Sequence, residues 1–101
     1  MKAIMITPES RSMEMIDIDG RADIARLIGF DSIESDAVGT DGDHLFFDED
    51  CFLRGTVGRF RIDTLIPISG KALIVGTSDN GTVLRDVVTD IDSLRGRIKY
   101  L

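Results

Sequence analysis

Every apolar run in this sequence is short, and turn-forming residues close it. The runs at 2–7 and 12–18 are joined by Pro8-Glu9-Ser10-Arg11, and those at 71–77 and 82–88 by Ser78-Asp79-Asn80-Gly81. Proline fixes φ at a turn, and Asn-Gly favours the type I′ turn that connects adjacent antiparallel strands. The pattern predicts two β-hairpins, and no run approaches the roughly 20 apolar residues of a membrane span.

A third hairpin is predicted around an acidic turn. Residues 30–38 and 44–53 bracket Gly39-Thr40-Asp41-Gly42-Asp43, in which Asp-Gly is another strong hairpin signal. The stretch that follows, 54–59, reads RGTVGR and has two glycines without apolar alternation. We therefore expect an irregular loop there.

Helical periodicity appears once in the first third of the chain. Apolar side chains recur at the spacing of one helix face from Ile24 to Ile28, which predicts a helix over about residues 20–28. Asp19 is placed to cap the start of this helix, and Gly29 is placed to end it in the left-handed conformation.

A second short helix is predicted over about residues 90–96. Thr89 and Asp92 resemble a capping box, and the apolar residues Ile91, Leu94 and Ile98 recur at helical spacing. The predicted order of elements is β-β-α-β-β-loop-β-β-α, without an internal repeat.

These elements predict one small α+β domain over residues 1–101, built mainly from an antiparallel sheet of hairpins with two short helices. A chain of 101 residues has room for a single core. The one cysteine, Cys51, cannot form an internal disulfide, which fits a reducing compartment, and we expect a cytoplasmic protein.

Charge is distributed unevenly along the chain. The sequence has 12 Lys and Arg against 18 Asp and Glu, for a net charge of −6. Residues 1–50 carry 4 basic and 13 acidic side chains, whereas residues 51–101 carry 8 basic and 5 acidic ones. An acidic balance repels nucleic-acid phosphates, so we expect no direct nucleic-acid binding and no membrane partner.

Few side chains carry catalytic or metal-binding chemistry. His44 is the only imidazole and Cys51 the only thiol, and seven residues apart on a regular strand they face opposite sides. The acidic residues of 41–50 do not follow a calcium-loop spacing, because Leu45 and Phe46 stand where a ligand and a glycine are required. We therefore expect no catalytic residue, no metal site and no cofactor, and no enzymatic activity.

The acidic hairpin is the predicted partner-binding surface. Because Phe46 and Phe47 are adjacent on a strand, one ring is expected to be exposed among carboxylates. An apolar spot inside a charged rim is typical of a protein docking site, and the same ring would be the buried centre of a homodimer. The predicted partner-binding residues are Asp41, Asp43, Phe46, Phe47, Asp48, Glu49 and Asp50.

Two alternative functions remain open from the sequence. Carboxylates spaced like phosphates would make the protein an acidic mimic of DNA that inhibits a nucleic-acid-binding protein by occupying its basic groove. The loop could instead bind a small anionic ligand through Arg54, Gly55, Gly58 and Arg59, where two guanidinium groups flank two glycines.

Four stretches carry a family resemblance: the opening MKAIMITPES, the helical RADIARLIGFDSIE, the acidic Asp-Gly turn and the late SGKALIVGTSDNG. They are spread over most of the chain, from residue 1 to residue 81, and together resemble the DUF3846-like family of small phage and plasmid proteins. The middle, 54–66, departs from the family pattern because it is basic and contains glycine. The resemblance implies an origin in a mobile element, no catalytic activity, and a host or phage protein as the partner.

Overall fold

The computed structural model describes the whole chain, residues 1–101. Its strands are β1 (Lys2–Thr7), β2 (Ser12–Asp17), β3 (Ile33–Val38), β4 (Asp43–Asp48), β5 (Arg59–Ile62), β6 (Ile68–Ser69), β7 (Ala72–Ser78), β8 (Val83–Arg85) and β9 (Ile98–Tyr100). Its helices are α1 (Arg21–Ile28), α2 (Ile91–Arg95) and one turn of 3-10 helix at Cys51–Leu53. The predicted α+β class is confirmed. None of these helices has the length and apolar character needed to cross a membrane.

The main sheet is antiparallel and contains six strands. Its order is β2-β1-β7-β4-β3, with β8 paired to the far end of β7. The three predicted hairpins are confirmed as β1–β2, β3–β4 and β7–β8. Asn80 and Gly81 both have positive φ, 59° and 84°, as the type I′ turn requires. The central strand β7 is apolar at every position from 72 to 75, which suits a strand covered on both faces.

Both faces of the main sheet are covered. A smaller sheet, of order β6-β5-β9, packs with α2 on one face, and its Phe60 and Ile62 join Leu94 in one core cluster. Helix α1 covers the opposite face, where Ile24 and Ile28 belong to a second cluster. The main sheet is therefore the middle of three layers.

The smaller sheet was not predicted, and two predicted boundaries also differ from the structure. The strand predicted over 44–53 ends at Asp48, where a run of three carboxylates begins and a 3-10 helix follows. The second helix ends at Arg95, and Ile98 lies instead in β9, paired with Ile62 of β5. The apolar spacing through Ile98 thus belongs to two elements that face the same core.

Both predicted N-terminal helix caps are wrong, whereas Gly29 ends α1 in the left-handed conformation as predicted. Asp19 does not cap α1, and its amide instead donates to Asp23 Oδ2 at 2.7 Å. Helix α2 is capped by Asp90 rather than by Thr89, since the Asp90 side chain accepts from the amide of Ser93 at 2.9 Å.

Candidate functional site

Phe46 and Phe47, the expected centre of the acidic docking surface, are both buried. Their exposed fractions are 3% and 6%. The rings do point to opposite faces of β4, Phe47 toward the smaller sheet and Phe46 toward α1. Because both faces are covered, the prediction of an exposed ring is wrong, and so is the homodimer centre built on it.

Asp43, at the start of β4, is buried and fully engaged. Its Oδ1 accepts the amide of Val88 at 2.9 Å, and its Oδ2 accepts the amide and the hydroxyl of Thr89 at 2.8 and 2.6 Å. The buried carboxylate is thus the hydrogen-bond acceptor for two backbone amides in the segment between β8 and α2, and the three donors compensate its burial. Asp43 is therefore a structural residue and does not face a partner.

Asp48, at the end of β4, is also buried and holds Arg54. Its Oδ2 accepts Arg54 Nε at 2.9 Å, and its Oδ1 accepts Ser32 Oγ at 2.9 Å and the Asp50 amide at 3.1 Å. The guanidinium of Arg54 also lies 4.4 Å from the centre of the Phe30 ring. Burial is the largest influence on the pKa of Asp48 and raises it, but the three hydrogen bonds and the charge of Arg54 outweigh burial and lower the pKa.

This network makes stability depend on acid pH. Because the pKa of Asp48 is lowered in the fold, its carboxylate stabilises the protein above about pH 4, and this contribution is lost as pH falls through the folded pKa. We expect Asp48→Asn to lower the free energy of unfolding by about 2 kcal/mol at neutral pH and to flatten its decline in acid. Urea unfolding across this pH range measures both effects.

Glu49→Gln is the matched control for this experiment, since Glu49 is exposed and forms no ion pair. It should keep the neutral stability and the acid slope of the wild type. Identical slopes in the wild type and Asp48→Asn would show that Asp48 is not the titrating group.

Only part of the acidic hairpin faces solvent. Asp41 and Glu49 are exposed and Asp50 is half-buried, 3.9 Å from Arg54. The carbonyl of Asp41 accepts from Arg85 at 2.6 Å, which fixes the turn. Of the predicted partner-binding residues, only these three carboxylates reach solvent, and they surround no apolar centre. A DNA mimic would likewise have only these three carboxylates of the hairpin to present.

An exposed apolar surface lies just beyond the acidic hairpin. The exposed fractions of Phe52, Leu53 and Val57 are 51%, 83% and 65%. The 3-10 helix buries only Cys51, whose Sγ accepts the amide of Ser69 at 3.5 Å. We call Phe52, Leu53 and Val57 the 52–57 patch.

Hydrogen bonds and one cation–π contact inside the loop fix the backbone that carries this patch. Thr56 Oγ1 donates to the carbonyl of Cys51 at 3.4 Å and shares a hydrogen bond with Ser69 Oγ at 2.9 Å. The guanidinium of Arg59 lies 5.1 Å from the centre of the Phe52 ring. The 51–59 segment is thus folded back on itself, and its three exposed apolar side chains lie within six residues of the chain.

The patch was not predicted because residues 44–53 were interpreted as one strand. The signal was the run Asp48-Glu49-Asp50, in which three consecutive carboxylates end the apolar alternation. Because the strand ends at this run, Phe52 and Leu53 lie outside the sheet and do not pack on either of its faces.

The four residues predicted to hold a small anion do not form a common site. Arg54 and Arg59 are engaged in the contacts described above. Gly58 packs so closely on the β1–β2 turn that a Cβ there would lie 2.5 Å from the amide nitrogen of Glu9. A cleft lies between the β1–β2 turn, the end of α1 and residues 55–57, and of the four residues only Gly55 lines it.

The two side chains with nucleophile or base chemistry have separate surroundings. His44 Nδ1 lies 3.2 Å from Ser35 Oγ, whereas Cys51 contacts Ser69. His44 and Cys51 form no hydrogen bond with each other. No group of three or more His, Cys, Asp or Glu side chains is arranged to hold a metal ion.

No family model, curated protein or solved structure matches this chain. Its function is therefore inferred from the surfaces and clefts of the structure.

Proposed function

We propose that the protein is a non-enzymatic binding module that docks onto a protein partner through the 52–57 patch. The observation that carries the proposal is the exposure of Phe52, Leu53 and Val57 within six residues of one loop. Single exposed apolar side chains are ordinary, whereas a cluster marks an interaction surface. Burying each of these side chains contributes about 1.5–3 kcal/mol, which is a sufficient driving force for docking.

Charge beside the patch supports a partner whose apolar socket is rimmed by Lys and Arg. The amide of Glu49 donates to the carbonyl of Ser32 at 2.7 Å, so Glu49 and Asp31 both lie at the end of the β3–β4 pair from which the chain continues to Phe52. Neither carboxylate has an ion-pair partner in the chain. Complementary charge on a partner speeds association and fixes orientation, while the apolar centre supplies affinity.

The acidic hairpin forms the rim of this docking surface, and the apolar centre lies further along the chain. Glu49 and Asp50 precede Phe52 and Leu53 in the chain. Phe52 and Leu53 are the exposed apolar centre that was predicted at Phe46 or Phe47. The resemblance to DUF3846-like phage and plasmid proteins supports a bacterial or phage protein as the partner.

The test is capture of a partner by the immobilised protein from a bacterial lysate. We expect the wild type to retain a protein at about 0.5 M salt, where the Debye length is roughly 4 Å and only apolar contact persists. Leu53→Ser and Val57→Ser should each reduce retention about tenfold or more, because each removes buried apolar area worth more than about 1.4 kcal/mol.

Val88→Ser is the matched control, since Val88 is also exposed but lies at the opposite end of β4, next to Asp43. It should leave retention unchanged, and all three variants should unfold like the wild type. Equal retention by Leu53→Ser and Val88→Ser would contradict the proposal, as would the absence of any retained protein.

The same variants test whether the 52–57 patch binds a second copy of this chain. Sedimentation velocity would then show a dimer that persists in high salt, becomes a monomer in Leu53→Ser and stays intact in Val88→Ser. A monomer throughout assigns the patch to a different protein and rejects the predicted homodimer.

A further inference from the structure

The hydroxyl of Tyr100 is the one buried side-chain nitrogen or oxygen in the chain without a hydrogen-bond partner. Leaving such a group unpaired costs about 1–3 kcal/mol, so native structures rarely keep one without a reason. Burial raises the pKa of Tyr100, which keeps the hydroxyl protonated as a donor at neutral pH. A ligand oxygen that accepts from this hydroxyl would satisfy its donor.

Tyr100 lines a cleft with a volume of about 470 Å³ between the β1–β2 turn, α2 and β9. This volume falls in the range of roughly 300–1,000 Å³ that is usual for small-molecule sites. The residues around the cleft are Arg11, Ser12, Met13, Arg95, Ile98 and Tyr100. They include two guanidinium groups and no carboxylate, in a chain with a net charge of −6.

Local structure holds both arginines at the cleft. Arg11 has a φ of 51°, which is uncommon for a residue with a side chain, and its amide donates to the carbonyl of Pro8 at 3.1 Å. Its guanidinium has no ion-pair partner. Arg95 is paired with Asp92 on the same helix, in an exposed i,i+3 arrangement that binds weakly and leaves further N–H donors free.

We propose that this cleft binds the phosphate group of a small phosphorylated molecule, with Arg11 and Arg95 as the cationic clamp and the Tyr100 hydroxyl as the inner donor. Guanidinium groups match a phosphate through paired hydrogen bonds, and two of them offset the repulsion from the acidic remainder of the chain. The hydroxyl has almost no accessible surface, so binding requires the side chains that cover it to move aside and admit a phosphate oxygen. This site is separate from the 52–57 patch.

Inorganic phosphate is the probe, followed at constant ionic strength by the amide resonances of the protein in a nuclear magnetic resonance titration. We expect saturable shifts at Arg11, Ser12 and Tyr100 with a dissociation constant near the millimolar range. Arg11→Gln should weaken binding about tenfold, equivalent to 1.4 kcal/mol. Adenosine monophosphate and adenosine are titrated in the same way. If adenosine monophosphate binds more tightly than inorganic phosphate, the base and sugar also fill the cleft.

Two further variants make the result decisive. Arg61→Gln is the matched control, because Arg61 is exposed on β5 and does not line the cleft, and it should bind phosphate like the wild type. Tyr100→Phe should be at least as heat-stable as the wild type without phosphate, since it removes an unpaired buried hydroxyl, yet bind phosphate several-fold more weakly. Shifts that do not saturate, equal losses in Arg11→Gln and Arg61→Gln, or unchanged affinity in Tyr100→Phe would each overturn the proposal.

Discussion

Gly58→Ala is expected to lower the free energy of unfolding by about 4 kcal/mol, from left-handed strain and overpacking together. The φ of Gly58 is 89°, and an added Cβ would lie 2.5 Å from the nitrogen of Glu9 and 2.6 Å from the carbonyl carbon of Pro8. These are backbone atoms of the β1–β2 turn, so they cannot move aside as a flexible side chain would. Urea unfolding of the purified variant measures the loss.

Gly55→Ala separates the two causes of that loss. Gly55 also has positive φ, 71°, but nothing lies within 4 Å of its added Cβ. It should therefore lose only about 1 kcal/mol, the cost of left-handed strain alone. Equal losses at the two positions would mean that the turn does not press on Gly58, and a ligand-binding reason for this glycine would have to be considered again.

The hairpins were predictable because their signals are local. Asn80-Gly81 and Asp41-Gly42 each specify a turn within a few residues, and the flanking strands then pair with their neighbours in the sequence. The same holds for Gly29, which ends α1 in the left-handed conformation with a φ of 94°. None of these features depends on the rest of the fold.

The smaller sheet was not predictable because its pairing is distant and its strands are short. Strand β6 has two residues and β9 has three, too few for an alternation to be recognised. Strand β5 pairs with β9 through Phe60 opposite Tyr100, forty residues further along the chain. Only the complete fold brings these residues together.

The candidate site was misplaced for the same reason. Alternation correctly puts Phe46 and Phe47 on opposite faces of β4, but it does not say that both faces are covered. A run of acidic residues likewise does not show which carboxylates are buried. Asp48 is buried because Ser32 and Arg54 supply donors, and those donors reach it only in the folded chain.

Asp43→Ala is expected to be as damaging as Gly58→Ala, with a loss of about 4 kcal/mol in the free energy of unfolding. The substitution removes three hydrogen bonds and leaves the amides of Val88 and Thr89 without their acceptor. It also opens a cavity beneath the segment that connects β8 to α2. Urea unfolding monitored by circular dichroism measures the loss, and hydrogen exchange should show the amides of Val88 and Thr89 losing protection first.

Two substitutions control the Asp43 experiment and decide what kind of residue Asp43 is. Thr89→Val removes only the hydroxyl bond and should cost about 1 kcal/mol, because both amide bonds remain. Asp41→Ala, two residues away on the same hairpin, should change stability by less than about 0.5 kcal/mol, because its carboxylate is exposed and only its carbonyl is used. If Asp43→Ala were as mild as Asp41→Ala, Asp43 would be a surface carboxylate free to meet a partner, and the acidic hairpin would regain a place in recognition that its buried contacts now deny it.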